Sequence, residues 1–378
     1  MNKNVLITGG AGFIGSNLAL KLIEQGNKVT VLDNLSTQIH GENPEFSPLY
    51  CSIKDKVKFI LGTVESRQNW VDALIDIDTV VHLAAETGTG QSMYQIKRYS
   101  DVNIGGSAIL LDLLANETHN VSKLVIASSR SIYGEGKYFC TEHAAVYPTA
   151  RTDTNMSSRD FNVKCPICSR DVELLATDEE SKIHPSSIYG VTKQVQEQMC
   201  LITGNSLGID TVALRFQNVY GAGQSLSNPY TGILSIFSTR IKNGNDINIF
   251  EDGLESRDFV YIDDVVDSIC LAISSNKAVG KAYNVGSGVC TDVLTVAQTL
   301  KDIYQSDSNI QISGNYRVGD IRHNYADLGK VKSDLGFEPK VSFPQGMKKF
   351  TDWVNLQDVQ ADRYEQSIDE MKKKGLYK

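Results

Sequence analysis

A short apolar run, Val5-Leu6-Ile7, breaks directly into Thr8-Gly9-Gly10-Ala11-Gly12-Phe13-Ile14-Gly15, and the chain continues as the helix-prone Ser16-Asn17-Leu18-Ala19-Leu20. Three glycines spaced three apart turn a buried strand sharply into a helix. Gly9 permits the tight turn, Gly12 lets the backbone approach a ligand, and Gly15 lets the helix pack close to the strand. Such a turn offers bare N–H groups and the positive end of a helix dipole to a pyrophosphate. A second strand, Lys28-Val29-Thr30-Val31-Leu32, ends at Asp33, roughly 20 residues beyond the turn, where a carboxylate suits the ribose hydroxyls of an adenosine and repels a 2′-phosphate. Gly9, Gly12, Phe13, Ile14 and Gly15, with Asp33 and Asn34, are therefore expected to bind NAD in preference to NADP.

Strand-like runs alternate with helical ones through the first half, at 4–8, 28–33, 57–61, 79–84 and 122–127, separated by amphipathic stretches near 13–25, 67–76 and 98–116. Further strands are expected at 209–215 and 282–285. This alternation predicts an α/β fold, a doubly wound parallel sheet with ligands at the carboxyl ends of its strands and a smaller mixed α/β substrate-binding region. The dinucleotide-binding part is expected over 1–215 and the substrate-binding part mainly over 216–378, with segments at about 251–289 returning to the first. The polar tail after Trp353 reads as a solvated terminal helix. A net charge of -8 without a basic stripe argues against nucleic acid. No apolar run is long enough to span a membrane. Seven cysteines in a large chain with no secretory leader point to a reducing cytoplasm.

The fifth strand, Lys123-Leu124-Val125-Ile126-Ala127, runs into Ser128-Ser129, which puts hydroxyls at a strand's carboxyl end, where chemistry is placed in such sheets. Tyr189-Gly190-Val191-Thr192-Lys193 sets a phenol and an ammonium one helical turn apart. The cation is expected to lower the Tyr189 pKa from about 10 toward neutrality. Tyr189 would then act as general base on a hydroxyl, with Ser129 holding the same oxygen.

Together with these motifs, His82-Leu83-Ala84-Ala85, Asn103, Asn218 and Arg257-Asp258-Phe259 make the chain resemble the extended short-chain dehydrogenases/reductases of the NAD-dependent epimerase/dehydratase family, which act on nucleotide sugars. The resemblance implies that Ser129, Tyr189 and Lys193 are catalytic, with Tyr189 and Lys193 also touching the cofactor. It implies that Leu83, Ala84 and Ala85 line the cofactor and that Asn103, counted with the cofactor-binding residues, supports the active-site helix geometry. By the same resemblance Asn218 touches the sugar diphosphate, Arg257 and Arg317 clamp its phosphates, Asn248 and Phe250 lie near the nucleobase, and Arg130 lies near the sugar. A homodimer built on the helices near 98–116 and 187–203 is implied too. The family's Gly-Asp after the third strand is Gly62-Thr63 here. Sugar dehydratases of the family carry an Asp-Glu pair after the equivalent of Ser129; Arg130-Ser131 supplies no carboxyl, which leaves a 4-epimerase. A 4-keto sugar reductase and a non-enzymatic NAD-binding scaffold are the rival readings.

Ser129 and Tyr189 are further apart than is usual in the family, and the extra segment, at about 135–185, holds Cys140-Thr141-Glu142-His143 and Cys165-Pro166-Ile167-Cys168. Two such knuckles fit a closed four-ligand structural zinc site, expected to shape a lid over the sugar pocket. The insertion, with the segments 85–94 and 224–232, is similar to a bacterial branch of the family, the dTDP-L-rhamnose 4-epimerases; UDP-linked hexoses or uronates are alternative substrates.

Overall fold

In a computed structural model, which describes residues 2–230 and 232–378, seven strands form one parallel sheet. They are β1 (Asn4–Thr8), β2 (Lys28–Asp33), β3 (Lys58–Leu61), β4 (Thr79–His82), β5 (Lys123–Ser129), β6 (Asp210–Phe216) and β7 (Lys281–Val285). Their spatial order is β7-β6-β5-β4-β1-β2-β3. The order reverses beside β1, which opens a crevice at the carboxyl ends of β1 and β4.

Side chains alternate between two cores, as a sheet covered on both faces requires. Val5 and Ile7 face one core with Val125, Val212 and Leu214, against the helices Phe13–Glu24 and Ile262–Ser274. Leu6 faces the other with Leu124, Ile126 and Ala213, against Arg67–Ala73, Gly106–Asn116 and Ile188–Leu207.

Smaller sheets sit over the crevice. Ser256–Tyr261 pairs with Asn218–Tyr220, Cys290–Asp292 and His323–Asn324, and Ile247–Ile249 pairs with Ile310–Ile312. The insertion forms its own three-stranded antiparallel sheet, with Tyr138–Cys140 between Ala144–Val146 and Glu173–Leu174.

The tail departs from expectation. Its helix Tyr364–Lys373 is not solvated all round: Tyr364, Ser367, Ile368 and Met371 are buried. Ile236 and Phe250 pack against this cluster.

Candidate active site

The cavity at the crevice has a volume of about 580 Å³. Gly9 sits at φ +66°, and a Cβ there would lie 2.9 Å from the Ala84 backbone. A Cβ on Gly15 would lie 2.3 Å from the Gly9 carbonyl oxygen. Two of the three glycines are thus required by packing as well as by any ligand. The helix that follows has no capping side chain and no acid in its first turn, so its N-terminal dipole is left for an anion.

Asp33 ends β2 with both oxygens engaged: Oδ2 accepts from the Ala11 N–H at 2.9 Å and Oδ1 from the Leu35 N–H at 2.8 Å. Those bonds fix the carboxylate on the cavity wall beside Asn34, Phe13 and Ile14. Burial lowers the pKa of neighbouring His40, while Asp33 raises it. Thr63, in the place of the family's aspartate, also lines the cavity and donates to Glu65 at 3.1 Å. The geometry suits a dinucleotide.

Ser129, Tyr189 and Lys193 meet on one wall of the same cavity, with Leu83, Ala84 and Ala85. The Ser129 hydroxyl accepts from the Ser131 N–H at 3.2 Å and the Ser131 hydroxyl at 2.9 Å. Ser187 caps the helix Ile188–Leu207 by accepting from the Gly190 N–H at 3.1 Å, which places Tyr189 in the first turn. The Tyr189 ring packs edge-on against Tyr99, with centroids 6.4 Å apart.

The expected lowering of the Tyr189 pKa is corrected. Burial raises it, and the opposing influences are a hydrogen bond from Ser129 and the charge of Arg130. Burial acts on Lys193 as well, pulling the ammonium down to about 8. Spacing puts the two residues on one cavity wall, but desolvation dominates at both and Lys193 is not among the influences on Tyr189.

Asn103 does not line the cavity, in contrast to its expected place among the cofactor-binding residues. It lies fully buried in the π-helical turn Ser100–Gly105. Its Oδ1 accepts from the Glu86 N–H at 2.8 Å, and its amide donates to the Glu86 carbonyl at 3.1 Å and the Thr192 hydroxyl at 3.0 Å. Asn103 therefore ties the loop after β4 to the helix that carries Tyr189 and Lys193.

The far half of the cavity gathers Asn218, Asn248, Phe250, Arg257 and Arg317, with Arg130 between the halves. Arg130 donates to Asn218 Oδ1 at 3.0 Å, and burial lowers its pKa to about 9. The Arg257 fork donates to the carbonyls of Ser256, Ile321 and Arg322 at 2.7–2.9 Å. Arg317 is held by Asp320, at 2.8 Å from Nε and 2.7 Å from Nη2, and lies 5.1 Å from the Phe250 ring centroid. Asn248 donates to the Tyr364 hydroxyl at 3.2 Å.

Tyr364, Ser367, Ile368 and Met371 of the terminal helix complete this wall, a contribution that sequence reasoning missed. The segments 85–94 and 224–232 contribute Ala85–Gly90, Gln224, Ser225, Asn228–Tyr230 and Gly232 to the cavity wall; Thr231 lies outside the described residues.

In the insertion, Cys140, His143, Cys165 and Cys168 bring their ligand atoms within 4.8 Å of one another. Cys140 Sγ lies 3.7 Å from Cys168 Sγ and 3.5 Å from His143 Nδ1, and Cys165 Sγ lies 3.6 Å from the same nitrogen. Tetrahedral zinc with ordinary bond lengths sets S···S edges of about 3.8 Å and S···N edges of about 3.6 Å. The expected lid is corrected: no residue from 132 to 188 is on the cavity wall.

The model of the family described as "NAD dependent epimerase/dehydratase family" matches residues 5–154 and 170–286. The chain belongs to this family. As an enzyme it is an isomerase of the epimerase class and works with NAD. It is 33% identical over 356 residues to a dTDP-L-rhamnose 4-epimerase of Burkholderia thailandensis, covering 93% of this chain and 95% of that one. The structure of a UDP-glucose 4-epimerase from Thermotoga maritima, solved with UDP-glucose, matches with a TM-score of 0.75 at 29% identity, covering 93% and 98%. MoeE5, solved with UDP-glucuronic acid and NAD, matches at 0.73 and 26% identity, covering 93% and 99%. The stretch the family model passes over, 155–169, contains Cys165 and Cys168.

Proposed function

We propose that this enzyme is a nucleotide-sugar 4-epimerase whose substrate is dTDP-L-rhamnose. The observation that carries the reading is one cavity wall bearing Ser129, Tyr189 and Lys193 with Arg130 and Ser131, not two carboxyls, directly after Ser129. Such a wall can move a hydroxyl proton, but it has no acid–base pair with which to expel water. The dTDP-linked sugar is favoured by the Burkholderia relative, which matches over nearly its whole length.

Gly9, Gly12, Gly15, Asp33, Leu83–Ala85 and Lys193 would hold NAD, which when bound supplies a reversible hydride acceptor. The Ser129 hydrogen bond and the Arg130 charge favour the Tyr189 phenolate against burial, and the positive charge of bound NAD would favour it further. Tyr189 takes the proton from the sugar's O4 hydroxyl and later returns it, while Ser129 hydrogen-bonds the same oxygen as its charge changes. The sugar passes through a 4-keto stage and regains its C4 hydrogen on the other face. Arg257 and Arg317 hold the diphosphate beside Asn218, and Arg130, held by Asn218 Oδ1, lies at the sugar.

Incubating the purified enzyme separately with dTDP-L-rhamnose, UDP-glucose and UDP-glucuronate, and following products by proton NMR, tests this. The expected result is a C4 epimer from the dTDP sugar at a rate at least tenfold above the others. Faster turnover of a UDP sugar would overturn the substrate. A stoichiometric change in NADH would overturn the epimerase.

Cys140, His143, Cys165 and Cys168 are taken to hold a structural zinc ion, supported by their near-tetrahedral edges and by a closed set of four protein ligands. About one zinc per chain by elemental analysis is expected; less than about a tenth would remove the claim. A cytoplasmic homodimer is the final part of the reading. All seven cysteines are free, which suits a reducing compartment. Exposed Val191 and Ile202 lie on one of the two helices expected to pair.

A further inference from the structure

The insertion does not touch the cavity, yet it reaches two segments of the cavity wall through one side chain. We infer that Arg151 is a positioning residue for the nucleotide-sugar half of the site. This rests on the reading of that half as a nucleoside-diphosphate pocket.

The Arg151 side chain is buried, and its guanidinium forks onto Glu251, with Nη1 2.6 Å from Oε2 and Nη2 2.8 Å from Oε1. Nη2 also donates to the Asp320 carbonyl at 3.0 Å, and Nη1 to the Phe161 carbonyl at 3.2 Å. Glu251 and Asp320 both line the cavity. Glu251 follows Phe250 in the chain, and the Asp320 carboxylate holds Arg317. One planar fork thus sets the spacing between the segment carrying Phe250 and the segment carrying Arg317, the two groups that stack across the pocket wall.

The arrangement is braced from both sides. Arg322 shares Glu251 at 3.0 Å, and its backbone N–H donates to Glu135, at the start of the insertion, at 2.8 Å. Phe161 packs with Met156 and Tyr316, the residue before Arg317, and the Tyr316 hydroxyl donates to Asp153 at 2.6 Å. Phe161 lies four residues before Cys165, so the Cys/His cluster anchors the segment that supplies one of the Arg151 acceptors. Lysine, a point charge without a fork, cannot span Glu251 and the Asp320 carbonyl in this way.

The test uses full-length enzyme carrying Arg151→Lys or Arg151→Gln; the lysine variant keeps the charge should the glutamine variant fail to fold. Calorimetric Kd for dTDP and for UDP, NAD content per chain, kcat and KM are measured. Expected is a rise of at least tenfold in nucleoside-diphosphate Kd and in nucleotide-sugar KM, with kcat within threefold and NAD content unchanged. Folded variants that bind dTDP and UDP as the wild type does would overturn the role of Arg151, as would loss of NAD in parallel with affinity. Wild-type enzyme that binds neither diphosphate would instead overturn the reading of the pocket, and with it this inference.

Discussion

The Lys193 ammonium donates its hydrogen bond to Gln196 Oε1, 2.7 Å away and one turn along the same helix. From there a buried chain runs on. Gln196 donates to Ser107 at 2.8 Å, Ser107 lies 3.0 Å from His82 Nε2, and His82 Nδ1 lies 2.7 Å from Thr8 Oγ1. Thr8 in turn accepts from the Ala84 N–H at 3.2 Å. Burial, reinforced by Lys193, lowers the His82 pKa to about 3, so its ring is neutral and serves as a relay of hydrogen bonds between the helix carrying Lys193 and the end of β1. Gln196→Leu removes the acceptor of a buried ammonium, which lowers the Lys193 pKa further. Steady-state kinetics are expected to give a kcat about tenfold lower, with the deficit growing as pH rises from 6 to 8.

Tyr189→Phe removes the phenolic hydroxyl with little change in packing. Turnover is expected to fall by about 10²–10⁴, while NAD content, read from the absorbance of acid-released cofactor, stays at the wild-type level. Wild-type turnover in this variant would exclude Tyr189 as the proton carrier.

Gly15→Ala places a methyl group 2.3 Å from the Gly9 carbonyl oxygen and 2.6 Å from Gly10 Cα, both backbone atoms that cannot swing aside. Expected is purified protein with less than about a tenth of the wild-type NAD and a stability loss of roughly 1–3 kcal/mol by urea unfolding.

Glu135 is fully buried, and burial raises its carboxyl to about 7 against the attraction of Arg151. Between about 4.5, its unfolded value, and 7 the folded state binds a proton that the unfolded state releases, so this group favours folding more as pH falls through that window. Above 7 the buried charge costs roughly 3 kcal/mol. Glu135→Gln is expected to be more stable than wild type by about 2 kcal/mol at pH 8.5, with the gain vanishing near pH 5. Urea midpoints at the two pH values check it, and a gain independent of pH would contradict it.

The sheet was legible because β1, β2, β4 and β5 are continuous apolar runs, the pattern of strands covered on both faces. The glycine turn and the Tyr189–Lys193 spacing were legible because their geometry is local. The burial that raises the Tyr189 pKa is not local, so spacing alone gave the wrong direction. The Arg151–Glu251 pair, 100 residues apart, leaves no sequence signal at all. The terminal helix did leave one: Tyr364, Ile368 and Met371 fall at i, i+4 and i+7, a narrow apolar stripe among charges that marks a packed face.

Isotope retention at C4 tests the central claim most directly. Nucleotide sugar deuterated at C4 is turned over in light water, and the epimerised product is analysed by mass spectrometry and proton NMR. Oxidation and return within one site predicts product that keeps its C4 deuterium, with no net NADH. Deuterium lost to solvent, or NADH formed in step with product, would contradict the account.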